Sequence, residues 1–271
     1  MEHLSEHMQI LSGEWLLPYL VALGYALPRL LGIFSMLPLF NRQALPGIIR
    51  SAIAASLALT LVPTLLEPVQ AAERSAGIAL GIILKEGLLG MAIGFMLALP
   101  IWAMEAMGDI IDNQRGASIA QTLSPMTGHD TSPLGDLFAQ SAVIFLLVSG
   151  AFLLILSAVY DSYALWPVFS WTPRFGPDTP GFLLGLLDTL MRLAVLMGAP
   201  VLIAMFLSEV GLALISRFAP QLQVFFLAMP IKSGLAILVL AIYAVTLFDV
   251  LSLELDGLGQ RVLRELAAML G

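Results

Sequence analysis

Apolar residues gather into six long stretches, roughly Trp15 to Phe40, Ile48 to Leu66, Ile78 to Met107, Phe138 to Phe169, Phe182 to Leu207 and Phe225 to Leu251. A helix needs about 20 mostly apolar residues to cross the hydrocarbon of a bilayer. A closed barrel would instead show two-residue alternation. The pattern therefore predicts an all-α, polytopic membrane-type protein of about six long helices, in which every backbone group is satisfied within its own segment. Pro18, Pro28, Pro38, Pro100 and Pro200 fall inside these stretches and predict kinks or breaks. After the last stretch, LDGLGQRVLRELAAMLG places Leu255, Leu258, Val262, Leu266 and Met269 at helical spacing. The expected organisation is a single membrane domain over residues 1–254 and a short amphipathic helix over 255–271.

Ionisable residues interrupt the apolar pattern: Arg29, Lys85, Glu86, Asp161, Asp188, Arg192, Glu209, Lys232 and Asp249. A charge at the centre of a span is unfavourable by roughly 2.5 to 3.5 kcal/mol on insertion scales, so each needs a partner, water or a protein interface. Asp188 and Arg192 have the i, i+4 spacing of a helical ion pair. Gly77 and Gly81, then Gly90 and Gly94, bracket the Lys85-Glu86 pair at the spacing that lets two helix backbones approach closely. Such charges suit two readings, a proton or ion relay in a transporter and an interface between subunits.

Composition narrows the classes. The chain is 59% apolar and 11% charged, against about a quarter charged in soluble domains. A formal charge of −7 excludes a basic nucleic-acid or anionic-lipid patch. Cysteine is absent, which excludes disulfides, thiolate metal sites and a cysteine nucleophile. The first fourteen residues hold no Lys or Arg, and the apolar run after them is too long for a signal-peptide core, so no cleaved signal is expected. Arginines divide four against four between the two sides of a six-span arrangement, leaving orientation open.

Candidate chemistry is sparse. His3-Leu4-Ser5-Glu6-His7 formally matches H-x-x-E-H, but it sits in an acidic tail with no third ligand, and the expectation is no metal site. No Walker A loop and no G-x-S-x-G occur, so neither nucleotide hydrolysis nor serine hydrolysis has local support, and no cofactor is implied. The most polar interior segment is Met107 to Pro125, MGDIIDNQRGASIAQTLSP. If the third apolar helix continues into it, Glu105, Asp109 and Asp112 stack on one face with Arg115 one turn beyond. Carboxylates so placed suit a cation site or acid/base work. The flanking Gly116, Pro125, Gly128 and Pro133 suit a polar connection whose charges are solvated or bonded to neighbours.

The run Ala103 to Gly135, AMEAMGDIIDNQRGASIAQTLSPMTGHDTSPLG, resembles the signature of the T subunit of the type III secretion export apparatus. Asp112-Asn113-Gln114-Arg115-Gly116, then Pro125, then Thr131-Ser132-Pro133-Leu134-Gly135 is its most specific part. Phe40 to Arg50, FNRQALPGIIR, and Arg217 to Ser233, RFAPQLQVFFLAMPIKS, agree, and the second also resembles the R subunit of the flagellar export gate.

The resemblance implies a non-enzymatic component of a protein-conducting gate in the bacterial inner membrane, within the secretion-system base, in the virulence branch. Its helical hairpins would pack in a helical hetero-oligomeric assembly with the small R and S subunits, then the U and V subunits. Secreted proteins would pass through it, membrane lipid would surround it, and nucleic acid would play no part. By resemblance, a segment from about Asp109 to Gly135 would help plug the pore, with Asp109, Asp112, Asn113, Gln114, Arg115, Gly116, Pro125 and Pro133 shaping or holding it. Arg42, Pro46, Arg50, Pro220, Gln221, Phe225, Pro230 and Lys232 would serve subunit packing. The competing expectations are a secondary transporter or ion channel, which would work alone, and an intramembrane hydrolase, for which no nucleophile-base pair is apparent.

Overall fold

The computed structural model describes residues 16–40, 46–71, 75–116, 132–171, 179–219 and 224–270. Among the described residues all regular structure is helical: α1 (Leu17–Met36), a 3₁₀ turn (Pro38–Phe40), α2 (Gly47–Leu59), α3 (Val62–Ala71), α4 (Ala76–Arg115), α5 (Pro133–Val148), α6 (Ala151–Leu165), α7 (Thr179–Phe218), α8 (Val224–Asp256) and α9 (Leu258–Leu270). Four helices are long and apolar enough to cross a membrane. The second and fourth apolar stretches are instead bent pairs, α2 with α3 at 76° and α5 with α6 at 79°. Counting each pair as one span recovers six.

The breaks have local causes, and most are not at the prolines within the apolar runs. α1 stops before Pro38, and Leu37 takes the extended conformation (ψ 122°) that a residue preceding proline favours. The α5–α6 bend falls at Ser149-Gly150, where Gly150 has φ +80°, a region that glycine enters without steric penalty. Pro18 occupies the first turn of α1, where its missing N–H is harmless. Pro28, Pro100 and Pro200 lie inside helices that continue on both sides, so the expected breaks do not occur there.

The chain forms two compact units, one of Met1–Ala98, Ile155–Pro177 and Gly259–Gly271, the other of Leu99–Leu154 and Asp178–Leu258. In the first, α1 packs on α2, α3 and α4. Its crossing with α4 depends on glycine: a Cβ at Gly90 would strike the Arg29 carbonyl, and one at Gly94 would lie 2.7 Å from the Ile33 carbonyl oxygen. Gly32 faces them, with the Gly87 carbonyl oxygen 2.5 Å from where its Cβ would be. Of the two glycine pairs read from the sequence, this one brings backbones together; Gly81 instead makes room for the Trp171 ring. Phe34 stacks on Phe40 with centroids 3.8 Å apart. In the second unit α7 and α8 form an antiparallel hairpin, and Phe145 of α5 meets Phe248 of α8 at 5.3 Å. Leu258, Val262 and Leu266 on α9 are buried, one helical stripe of that short element.

Candidate functional site

The polar signature assembles around Asp112 in the second unit. α4 runs through it to Arg115, so Asp109–Arg115 is helix, and Pro133–Gly135 likewise opens α5. Gly116 and Ser132 flank the connection between them, and residues 117–131, Pro125 among them, fall outside the described residues. Asp112 is buried, with 4% exposure, in the last turn of α4. Its Oδ1 accepts from Arg115 Nε at 2.6 Å. Its Oδ2 accepts from Ser132 Oγ at 2.7 Å and from the Leu134 backbone N–H at 2.9 Å. One carboxylate thus joins the two ends of a connection whose anchor points are twenty and more residues apart.

Each partner is placed by local rules. Ser132 caps α5, its Oγ accepting from Gly135 N–H at 2.9 Å, with Pro133 in the first turn and Asp136 near the positive end of the helix dipole. Leu134 N–H is one of the early helix donors with no partner inside the helix, which is why it is free to bond Asp112. Gly108 and Gly135 let the backbones of α4 and α5 touch, since a Cβ at Gly108 would lie 2.5 Å from the Gly135 nitrogen. A Cβ at Gly135 would collide with the Asp109 carboxylate. At the end of α4, Gly116 adopts φ +85°, the left-handed turn that commonly follows a helix.

The third signature reaches the same place. Lys232 of α8, 9% exposed, donates to the Gln114 carbonyl at 3.3 Å, a cation on the carbonyl end of α4. Its Nζ also lies 2.7 Å from Glu209 Oε2 of α7. The Gln114 amide donates to the Leu202 carbonyl at 3.4 Å. Two bonded groups thus meet at the end of α4: Asp112 with Arg115, Ser132 and Leu134, and Gln114 with Leu202 and, through its carbonyl, Lys232 and Glu209.

Among the described residues, other expected positions lie elsewhere. Asn113 and Pro133 are exposed. Pro230 is exposed within α8, and Phe225 lies on the first turn of that helix. Pro46 precedes α2 and Arg50 is half-buried on it, both in the first unit. Arg42, Pro220 and Gln221 lie outside the described residues, as do His3 and His7. Asp188 and Arg192 are exposed and make no ion pair with one another. No cluster of three or more metal-ligating side chains occurs among the described residues. Ser132, Leu134, Glu209 and Leu202 were missed as partners. The Ser-Pro-x-Gly run at 132–135 carried a helix-start signal that pointed to Ser132.

A second polar cluster lies in the first unit. Arg29 and Glu86 are fully buried and paired, Nε to Oε2 at 2.7 Å. Arg29 Nη1 donates to the Ser162 carbonyl at 2.7 Å and Nη2 to the Trp166 carbonyl at 2.8 Å, while the guanidinium sits 4.1 Å from the Tyr163 ring centre. Lys85 Nζ donates to the Val168 and Ser170 carbonyls at 2.6 and 2.9 Å. Lys85 is also 2.8 Å from Glu86 Oε1, a charge contact at an oxygen that lacks an aligned hydrogen bond. Two cations thus hold the carbonyls at and beyond the end of α6, with one carboxylate to offset them.

Residues 20–258 match the family described as bacterial export proteins, family 1. The chain is 44% identical over 224 residues to Yop proteins translocation protein T of Yersinia pestis, covering 82% of this chain and 85% of that one. It is 35% identical to surface presentation of antigens protein SpaR of Salmonella typhimurium, covering 82% and 81%. It is 28% identical to the flagellar biosynthetic protein FliR of Bacillus subtilis, covering 90% and 93%. The resemblance carried by the three motifs is thus matched along most of the chain, which belongs to the bacterial export proteins, family 1.

Proposed function

We propose that the chain is a non-enzymatic subunit of the inner-membrane export gate of a type III secretion system, helping to form the protein-conducting channel and to close it. The R and S subunits, then U and V, are its partners, and secreted proteins are its cargo. The observation that supports the closing role is the clasp at Asp112, which ties the end of α4 to the start of α5 through Ser132 and Leu134, with Arg115 holding the carboxylate from within α4. The polar segment between those helices is the plug, and Gly116, Pro125 and Pro133 shape it. Arg42, Pro46, Arg50, Pro220, Gln221, Phe225 and Pro230 serve packing against neighbours, and Lys232 bridges that packing surface to the base of the plug.

The energetics suit a gate. Each clasp bond is part-buried, and a typical net hydrogen bond is worth about 1 kcal/mol, or roughly 1.5 to 3 kcal/mol when one partner is charged. Two such bonds across the connection hold a closed state yet yield to a partner or cargo that competes for them. A solute relay through Arg29, Lys85 and Glu86 would need those groups free, and they are engaged with one another and with backbone carbonyls. The test is to remove residues 116 to 127 and measure ion leakage through the assembled apparatus. Leakage with normal assembly is expected; an assembled apparatus as tight as the parent removes the plug role.

A further inference from the structure

The two helix pairs that bend are built differently. Between α5 and α6 the break is fixed by Gly150 at φ +80°, outside the helical region. Between α2 and α3 the backbone of Thr60 stays helical, φ −67° and ψ −23°. Here the 76° bend comes from local tightening: Leu61 N–H donates to the Ala58 carbonyl at 3.0 Å and Thr64 N–H to the Leu61 carbonyl at 3.1 Å. The Leu57 carbonyl, which an unbroken α-helix would pair with the Leu61 N–H, is left over. Two hydroxyls take it up. Thr60 Oγ1 donates to it at 2.7 Å and the Tyr160 hydroxyl of α6 at 3.3 Å, with the two hydroxyl oxygens 3.2 Å apart.

The two arms are held unequally. Both pack on α1, but α3 buries Val62, Leu65 and Val69, whereas α2 buries Ala54 and Ala58 and exposes Ile48, Ile49 and Leu59. A buried methyl contributes far less than a buried Val or Leu side chain, so α2 is the arm that can leave. At 13 and 10 residues the arms are about 20 and 15 Å long, each too short for the roughly 30 Å of hydrocarbon in a bilayer. Aligned through Thr60 and Leu61 they would reach about 37 Å and cross it. Pro63 is no bar to that, since helix runs on through Pro28, Pro100 and Pro200 elsewhere in this chain.

We propose that Tyr160 is a latch: its hydroxyl on the Leu57 carbonyl holds α2 folded against α1, and its release lets α2 swing into line with α3 as one membrane span. All the parts lie in the first unit. The Thr60 bond reaches back three residues along its own helix, a bond that threonine also makes in straight helices, so it does not distinguish the two forms. The Tyr160 bond does, because it comes from another element. In lipid a freed carbonyl must find a donor from a neighbour, and the bent form takes its donor from α6. The straight form returns the Leu57 carbonyl to the Leu61 N–H and needs no outside donor. Displacement of α6 thus switches the Gly47–Ala71 stretch between a bent pair seated on α1 and a crossing helix. The latch does not depend on the export role.

The absence of cysteine makes a direct test available. Ile48→Cys and Gln70→Cys, both at exposed positions, are introduced together into the full chain, spin-labelled, and the distance between them is measured by pulsed electron resonance in lipid bilayers. The parent is expected to give one short distance. Tyr160→Phe, which removes one oxygen, is expected to raise a component about 7 Å longer, the difference between a 76° bend and a straight helix at 1.5 Å per residue. Its population relative to the bent form should rise about fivefold, as loss of one net hydrogen bond would give. Thr60→Val should leave the parent distribution in place. Pro63→Ala, which gives the straight form one more N–H and keeps Tyr160, should raise the long component in the same direction as Tyr160→Phe. A distribution unchanged by Tyr160→Phe overturns the latch, as does equal lengthening by Thr60→Val. Should Tyr160→Phe not yield folded protein, a parent-like distribution for Pro63→Ala overturns it.

Discussion

Two polar clusters lie within this apolar chain, and they are built on opposite terms. Around Arg29 the Arg29–Glu86 pair is fully buried, Arg29 and a part-buried Lys85 share one carboxylate, and most of the bonds go to backbone carbonyls. Around Asp112 the carboxylate is central and buried, its partners Arg115 and Ser132 are part-buried, and its bonds go to the two ends of one connection. Burial makes the first expensive to disturb, because losing one partner leaves a charge in a low-dielectric interior. The second sits where water or a competing group can replace each bond at modest cost. The first has the properties of a fixed joint and the second those of a catch.

Substitutions can break or sharpen that contrast. The largest effect is expected for Glu86→Ala, which leaves the buried Arg29 without its carboxylate and should destabilise by about 3–5 kcal/mol, read as lost protease resistance and lower abundance in membranes. Gly90→Ala comes next, at about 1–3 kcal/mol of overpacking against the Arg29 backbone. Gly77→Ala, where only Ser75 Oγ lies near at 3.9 Å, should be neutral or slightly stabilising in the same protease-resistance assay.

At the catch, Asp112→Ala should cost about 1–3 kcal/mol locally while assembly persists. Arg115→Ala should cost less, and the double variant should fall short of the sum because both residues act through one bond. Additive effects on leakage would separate them. The smallest effect belongs to Asn113→Ala, exposed between these residues, expected to stay within about 0.5 kcal/mol of the parent in the same assay. A large effect there would mean the cluster extends to a surface that a partner covers.

The sequence revealed the contrast unevenly. Long apolar runs identified helices because hydrophobic length alone decides which backbones survive in lipid. The bends at 60–61 and 149–150 were not legible, since the apolar runs pass through them and only Gly150 marks one. Of the prolines read as kinks or breaks, Pro38 marks the end of α1, whereas helix continues through Pro28, Pro100 and Pro200, since one missing N–H does not end a helix whose remaining turns are held. At the candidate site, Asp112 and Arg115 followed from i, i+3 spacing and motif. The link from Lys232 to Gln114 spans more than a hundred residues and has no local signature. Arg29, Lys85 and Glu86 stood out individually as charges in apolar stretches. Their convergence depends on the glycine crossing of α1 and α4, a tertiary event that spacing within one helix cannot announce.

The most direct test of the catch is ion leakage through the resting apparatus carrying Asp112→Ala, measured alongside co-purification of the other subunits. Raised leakage with an intact complex is the expected result, since releasing Ser132 and Leu134 would free the base of the proposed plug without touching the buried joint at Arg29. A fully assembled apparatus that stays as tight as the parent would contradict it and leave Asp112 a packing residue.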